Sequence, residues 1–160
     1  MRDPKRTPGG EAMTPLILDL LRLNSLILTS GDRLVAGLGL TSARWQILGA
    51  IDAADRPQPV AWLARDIGGN RQNVQRIVND LHRDGLVTFE PNPHHRRAHL
   101  VVMTEKGRKA FAAAMKLQTP WVNHLTEGLT VDEIGSVRRV VAALRERLDQ
   151  GQDADAANVS

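Results

Sequence analysis

Residues 92–99 read NPHHRRAH, which places three histidines and two arginines within eight positions, with Pro91 just before and Pro93 inside the run. Clustered imidazoles can hold a metal ion or relay protons, whereas neighbouring guanidinium groups bind phosphate oxygens and other anions. A metal site needs rigidly supported ligands, commonly backed by carboxylates. Glu90 is the one acid near His94, His95 and His99, and Arg96 and Arg97 would repel a cation. The chain has no cysteine, so thiolate metal sites, disulfides and thiol redox sensing are excluded. The run therefore reads as a basic finger directed at an anion, with no metal, cofactor or catalytic role. Its histidines gain charge near pH 6 to 7, which would tighten the grip as pH falls. Elsewhere there is no paired-acid, Ser-His-Asp or phosphate-loop pattern, and no enzyme is expected.

Such a finger has to be presented by its neighbours. The flanking segments LVTFE (86–90) and AHLVVMT (98–104) read as two short strands, so the run is a hairpin loop. Upstream lie the short segment VAWLARDI, the pair Gly68-Gly69, and a helix capped by Asn70 and ended by Gly85. In that helix Val74, Ile77, Val78 and Leu81 fall at i, i+3, i+4 and i+7, a single apolar stripe. Opposite the stripe stand Gln72, Gln75, Arg76 and Asn79, with Arg71 and Asn73 near the first turn. Arginine pairs bidentately with guanine, and Asn or Gln with adenine, at the depth of a DNA major groove. A polar helix face is ordinarily just solvated, but this one lacks Glu, follows a helix and glycine turn, and precedes a basic hairpin. The arrangement is a winged helix-turn-helix, and the expected partner is double-stranded DNA. Between Arg71 and Lys109 eight Lys or Arg stand against four acids, so the positive charge is concentrated there although the whole chain carries only +3. Lys106 is a further candidate for phosphate.

The rest of the chain suits oligomerisation. At 160 residues it has the length of one domain with an appendage, and its 3% aromatic content implies a core of Leu, Ile, Val and Ala, a mixture that favours helices. Leu16, Leu20, Leu23 and Ile27 form one helical arc, widened by Ile17, Leu21 and Leu28. Asp19, Arg22 and Asn24 interrupt that stretch, so no membrane span is expected, and the N-terminus lacks the apolar run of a signal peptide, which points to the cytoplasm. Thr41 is positioned to cap SARWQILGAIDAA and Thr104 to cap a long helix beginning EKGRKAFAAAMKL. Thr130 and Glu133 form a capping box before Ile134, Val137, Val141, Leu144 and Leu148, whose spacing suggests packing against another long helix.

Residues 41–111 resemble the MarR family of bacterial transcriptional regulators: LTSARWQIL its second helix, VAWLARDIGGNRQNVQRIVNDLHRDGLV its reading unit, and NPHHRRAHLVVMTEKG its wing and following helix. The resemblance implies a mostly α fold with a small two- or three-stranded antiparallel wing, and N- and C-terminal dimerisation helices around the winged helix-turn-helix. The expected organisation is a flexible N-terminus (1–12), an N-terminal dimerisation helix (13–40), a DNA-binding lobe (41–104), C-terminal dimerisation helices (105–149) and a disordered tail (150–160). A homodimer would meet a pseudo-palindromic operator, with Arg71, Gln72, Asn73, Gln75, Arg76 and Asn79 in the major groove and Arg97, with Arg96, in the minor groove. The family's wing usually has Asp directly before the paired arginines, where this chain has His95, so its arginines lack the acid that would orient them.

Two polar residues sit where burial alone would not put them: Asn24 within the first helix's apolar arc, and Arg44 among Ile47, Leu48 and Ile51. In this family the effector site lies between these helices and the DNA-binding lobe, and effectors are often aromatic or phenolic carboxylates. That implies a repressor released when Arg44 receives a carboxylate, Trp45 walls an aromatic ring, and Asn24 or Ser25 fixes a polar substituent. The competing reading pairs Arg44 with an acid of its own chain, makes Trp45 part of the core, and leaves Asn24 to set dimer register. An effector-independent or architectural DNA binder is the alternative function.

Overall fold

The computed structural model describes residues 5–158. In chain order it contains α1 (Pro8–Val35), a 3-10 turn (Ala36–Leu38), α2 (Ser42–Ala53), β1 (Gln58–Pro59), α3 (Val60–Asp66), α4 (Arg71–Arg83), β2 (Val87–Glu90), β3 (Leu100–Met103), α5 (Glu105–Leu125) and α6 (Val131–Asn158). It is the mostly helical winged helix-turn-helix that the sequence predicts, and the wing has three strands. The sheet order is β1-β3-β2, antiparallel throughout, with Phe89 opposite Val101 and Pro59 opposite Leu100. β1 is two residues long and ends in proline, which fits an edge because Pro cannot donate to a ladder.

The predicted caps form. Thr41 Oγ1 accepts from Arg44 N at 3.2 Å, Asn70 Oδ1 from Gln72 N and Asn73 N at 2.9 and 3.2 Å, and Thr104 Oγ1 from Gly107 N at 3.0 Å. The capping box closes reciprocally: Thr130 N donates to Glu133 Oε2 at 2.8 Å and Glu133 N to Thr130 Oγ1 at 3.2 Å. Those Thr130 donors hold the Glu133 carboxyl below the usual range.

Both terminal helices run further than their apolar patterns suggest. α1 begins at Pro8, not Thr14, because Thr7 Oγ1 accepts from Gly10 N and Pro8 occupies the first turn, where its missing N–H is harmless. α6 extends to Asn158. Residues 1–4 and 159–160 lie outside the described residues.

The chain divides into two compact units, Met1–Gln118 and Thr119–Ser160. The break falls inside α5 beside Pro120, where a ring nitrogen replaces a backbone donor. The core of the first unit joins Val35, Ile47, Leu48, Leu63, Val74, Val78, Leu81, Val87 and Val101, all less than 2% exposed. Two close approaches define it. Ser42, buried beside Gly31, donates its hydroxyl to Leu28 O at 2.7 Å and its N–H to Asp32 Oδ1 at 2.6 Å, joining α1 to α2. Gly107, in the first turn of α5, lies against the Leu86 carbonyl so closely that a Cβ would collide with it.

α1 contributes only Gly31 and Val35 to the buried set. Leu21, Leu23 and Leu26 are more than half exposed, as are Val137 and Leu148 on α6. By length and composition α1 with the turn to Leu38 is also apolar enough to cross a bilayer, which the sequence reading did not expect; interior helices of soluble proteins meet the same measure. Asp19 and Arg22 pair at 3.5 Å on its surface.

Candidate nucleic-acid interface

α4 is fixed from its inner side. Val74, Ile77, Val78 and Leu81 are between 0% and 7% exposed, and this burial holds the helix against α2 and α3. Its entrance is shaped by Gly68, at φ +65°, a left-handed conformation that suits glycine. The Asn70 cap then starts the helix. The opposite side presents Arg71, Gln72, Asn73, Arg76 and Asn79 exposed, with Gln75 half-buried.

These polar side chains are partly ordered against one another. Gln75 Nε2 donates to Asn79 Oδ1 at 3.0 Å, and Arg76 donates to Asn73 Oδ1 at 2.8 Å while lying 4.0 Å from Asp80. Pairs at i, i+3 and i, i+4 restrict rotamers, which lowers the ordering cost of engaging a base edge.

The wing tip is organised by Asn92. Its side chain accepts from His94 N at 3.0 Å and its carbonyl from His95 N at 3.2 Å, and His95 O accepts from Ala98 N at 3.0 Å. Successive turns therefore shape the loop. Arg96 and Arg97 are exposed, and among the described residues neither makes an ion pair or hydrogen bond. The absence of the acid expected at position 95 is thus matched by arginines held by backbone turns alone. The His99 ring lies tilted 6.3 Å from Phe89, and Phe89 lies 4.9 Å from His82. His82 Nδ1 is also 3.1 Å from Val87 O, and His124 lies 3.1 Å from Glu127. Among the described residues no cluster of three or more metal-ligating side chains occurs.

Between α4 and the wing runs an open cleft of about 690 Å³. Arg71, Gln75, Asn79 and Arg97 line it, so four of the eight sequence-predicted DNA residues share one surface with His94, His95 and His99. Gln72 lies with Arg71 and Gln75 around an adjoining shallow depression. No Asp or Glu lines the cleft. Sequence reasoning missed Trp62, which forms part of its wall and is 54% exposed. The signal was present: Val60, Leu63, Ala64 and Ile67 make the inward stripe of α3, and Trp62 falls off it.

The proposed effector residues fare differently. Arg44 forms an ion pair with Asp84, and its Nη1 donates to Gly39 O at 2.8 Å and Nη2 to Asp80 O at 3.5 Å; its Nε is buried without a partner. The Arg44 guanidinium holds the Asp84 carboxyl below its ordinary range. A carboxylate reaching Arg44 would have to displace Asp84, so the expected role as an effector's carboxylate receptor is already filled by the chain's own acid. Trp45 packs half-buried against the core, while Asn24 and Ser25 are exposed on α1, with Ser25 Oγ donating to Leu21 O at 3.2 Å. None of these four residues lines the cleft. Lys106 likewise has an internal partner: its Nζ donates to Asp84 O at 2.7 Å, satisfying a carbonyl at the end of α4 rather than standing free for phosphate.

Comparison with known proteins converges on one family. A family model described as MarR family matches residues 38–98. The uncharacterized protein Rv2011c of Mycobacterium tuberculosis is 36% identical over 140 residues, covering 85% of this chain and 96% of that protein. Among solved structures, the transcriptional repressor CouR bound to a 23-mer DNA duplex is 27% identical with a TM-score of 0.73, covering 88% of this chain and 99% of that one. The organohalide-sensing regulator RdhR-CbdbA1625 in its 2,4-dichlorophenol-bound form has a TM-score of 0.76 at 18% identity, covering 92% and 87% of the two chains, a likeness of fold.

Proposed function

Because the chain belongs to the MarR family, whose members are DNA-binding transcription regulators and not enzymes, we propose that it acts as a cytoplasmic homodimer at a pseudo-palindromic operator. Each protomer places α4 in a major groove, where Gln72, Gln75, Arg76 and Asn79 meet base edges and Arg71 and Asn73 flank the entry. Arg97, with Arg96 beside it, enters the adjoining minor groove. The observation that carries this reading is the acid-free cleft in which the outward face of α4 and the unpartnered Arg97 converge. Two-fold symmetry sets the half-sites about 34 Å apart, or a multiple of that. The uncovered apolar surfaces of α1 and α6 supply what a dimer would bury.

Repression by promoter occupancy is the mode, in line with the repressor CouR. A small aromatic or phenolic molecule relieves it by favouring a spacing of the two reading heads that no longer fits the operator. The dichlorophenol-bound state of RdhR-CbdbA1625 supports that ligand class. Trp45, Asn24 and Ser25 remain the residues proposed to meet it, without Arg44. Selection of bound duplexes from a random pool tests the central claim: an inverted-repeat motif is expected, and recovery of no preferred sequence would leave only an architectural DNA binder.

A further inference from the structure

α3 carries its inward residues Val60, Leu63 and Ala64 at 7%, 0% and 3% exposure, which turns Trp62 away from the core. Trp62 is 54% exposed, and among the described residues it has no hydrogen bond, ring contact or cation-π partner. An exposed Trp presents an apolar body with one N–H donor, a combination suited to a boundary between sugar and phosphate. Trp62 lines the same cleft as Arg71, Gln75 and Asn79 of α4 and Arg97 of the wing tip. With α4 in a major groove, the phosphodiester strand bordering that groove has to pass along this cleft. The cleft's cations, Arg71 and Arg97, suit a polyanion, and no carboxylate lines it.

We propose that Trp62 is a DNA-backbone contact: its ring packs on a deoxyribose of the strand in the cleft and its indole N–H donates to a phosphate oxygen. The assignment rests on the DNA-binding reading above. It makes Trp62 a residue that sets affinity and register without reading sequence.

The test uses the full-length dimer and two labelled duplexes, one selected from the random pool and one scrambled. Trp62→Ala should bind both about tenfold more weakly, and Trp62→Phe, which keeps the packing but not the donor, about threefold. Because the indole is neutral, the slope of log affinity against log salt stays at the wild-type value, whereas Arg97→Ala lowers it by about one. Duplex addition quenches wild-type tryptophan emission, and Trp62→Phe, which retains Trp45 and Trp121, loses that quench. A Trp62→Ala protein that binds both duplexes like wild type, or a quench that persists in Trp62→Phe, overturns the assignment while leaving the DNA-binding reading intact. A wild-type protein that binds neither duplex overturns both.

Discussion

Replacing Gly107 by alanine should break the joint between the wing and α5. In an exposed helix the change would stabilise by about 1 kcal/mol, since Gly is the poorer helix former. Here the added Cβ would stand 2.7 Å from Met103 Cγ and 3.0 Å from the Leu86 carbonyl carbon, and nearer still to its oxygen. Carbon contacts settle at about 3.5 to 4.0 Å, so the start of α5 must move by roughly 1 Å. The Met103 side chain can give way, but the Leu86 carbonyl cannot. That carbonyl accepts from Thr104 N at 3.0 Å, and the Thr104 hydroxyl donates to the adjacent Gly85 O at 2.7 Å while receiving Gly107 N at 3.0 Å. Losing or stretching these three bonds costs about 1 kcal/mol each, and loosened packing around buried Met103 adds to that. The net effect, after the propensity gain, is about 2 to 4 kcal/mol of destabilisation. At roughly 2 to 4 °C per kcal/mol the melting midpoint should fall by about 5 to 15 °C. Circular dichroism melts at one fixed protomer concentration measure it, because the proposed dimerisation would make the midpoint concentration-dependent. A Gly107→Ala protein as stable as wild type would refute the reasoning.

Three further outcomes follow from the site and its supports. Arg76→Ala should weaken binding to the selected duplex by about 1 to 3 kcal/mol and relax preference at one base position, and unchanged preference in a repeated selection would contradict the placement of α4. Because Asp84 titrates below its unfolded value in the fold, its stabilising contribution is present above the ordinary carboxylate range and disappears as pH falls through the lowered value. Asp84→Asn should therefore narrow the difference in urea stability between about pH 7 and pH 3, and an unchanged difference would remove Asp84 from the account of acid lability. Leu21→Asp places a charge on the apolar surface of α1, and sedimentation should shift from dimer toward monomer; an unaltered dimer would mean that this face is not the interface.

The sequence made most of the scaffold readable because local rules agreed with the fold. The caps at Thr41, Asn70, Thr104 and Thr130 and the stripe of α4 formed where they were predicted. What escaped was set by distant partners. Gln58–Pro59 reads as a breaker, and becomes a strand only because Leu100 and Val101 lie alongside. Arg44 invites an external anion until the fold brings Asp84, forty positions away, to its guanidinium. Trp62 escaped for a different reason: an aromatic residue in an apolar segment suggests core, and only the spacing of Val60, Leu63 and Ala64 puts it off the inward stripe.

In α4 the positions that hold the protein together and most of those that would read DNA are distinct, Gln75 being the half-buried exception. Val74, Ile77, Val78 and Leu81 carry the packing, while Gln72, Arg76 and Asn79 stand outside it. Substitutions at exposed positions without packing roles ordinarily change stability by less than about 0.5 kcal/mol. After gene duplication, a copy of this chain can therefore drift to a new operator through outward-facing changes, while the inherited fold remains folded at every intermediate step.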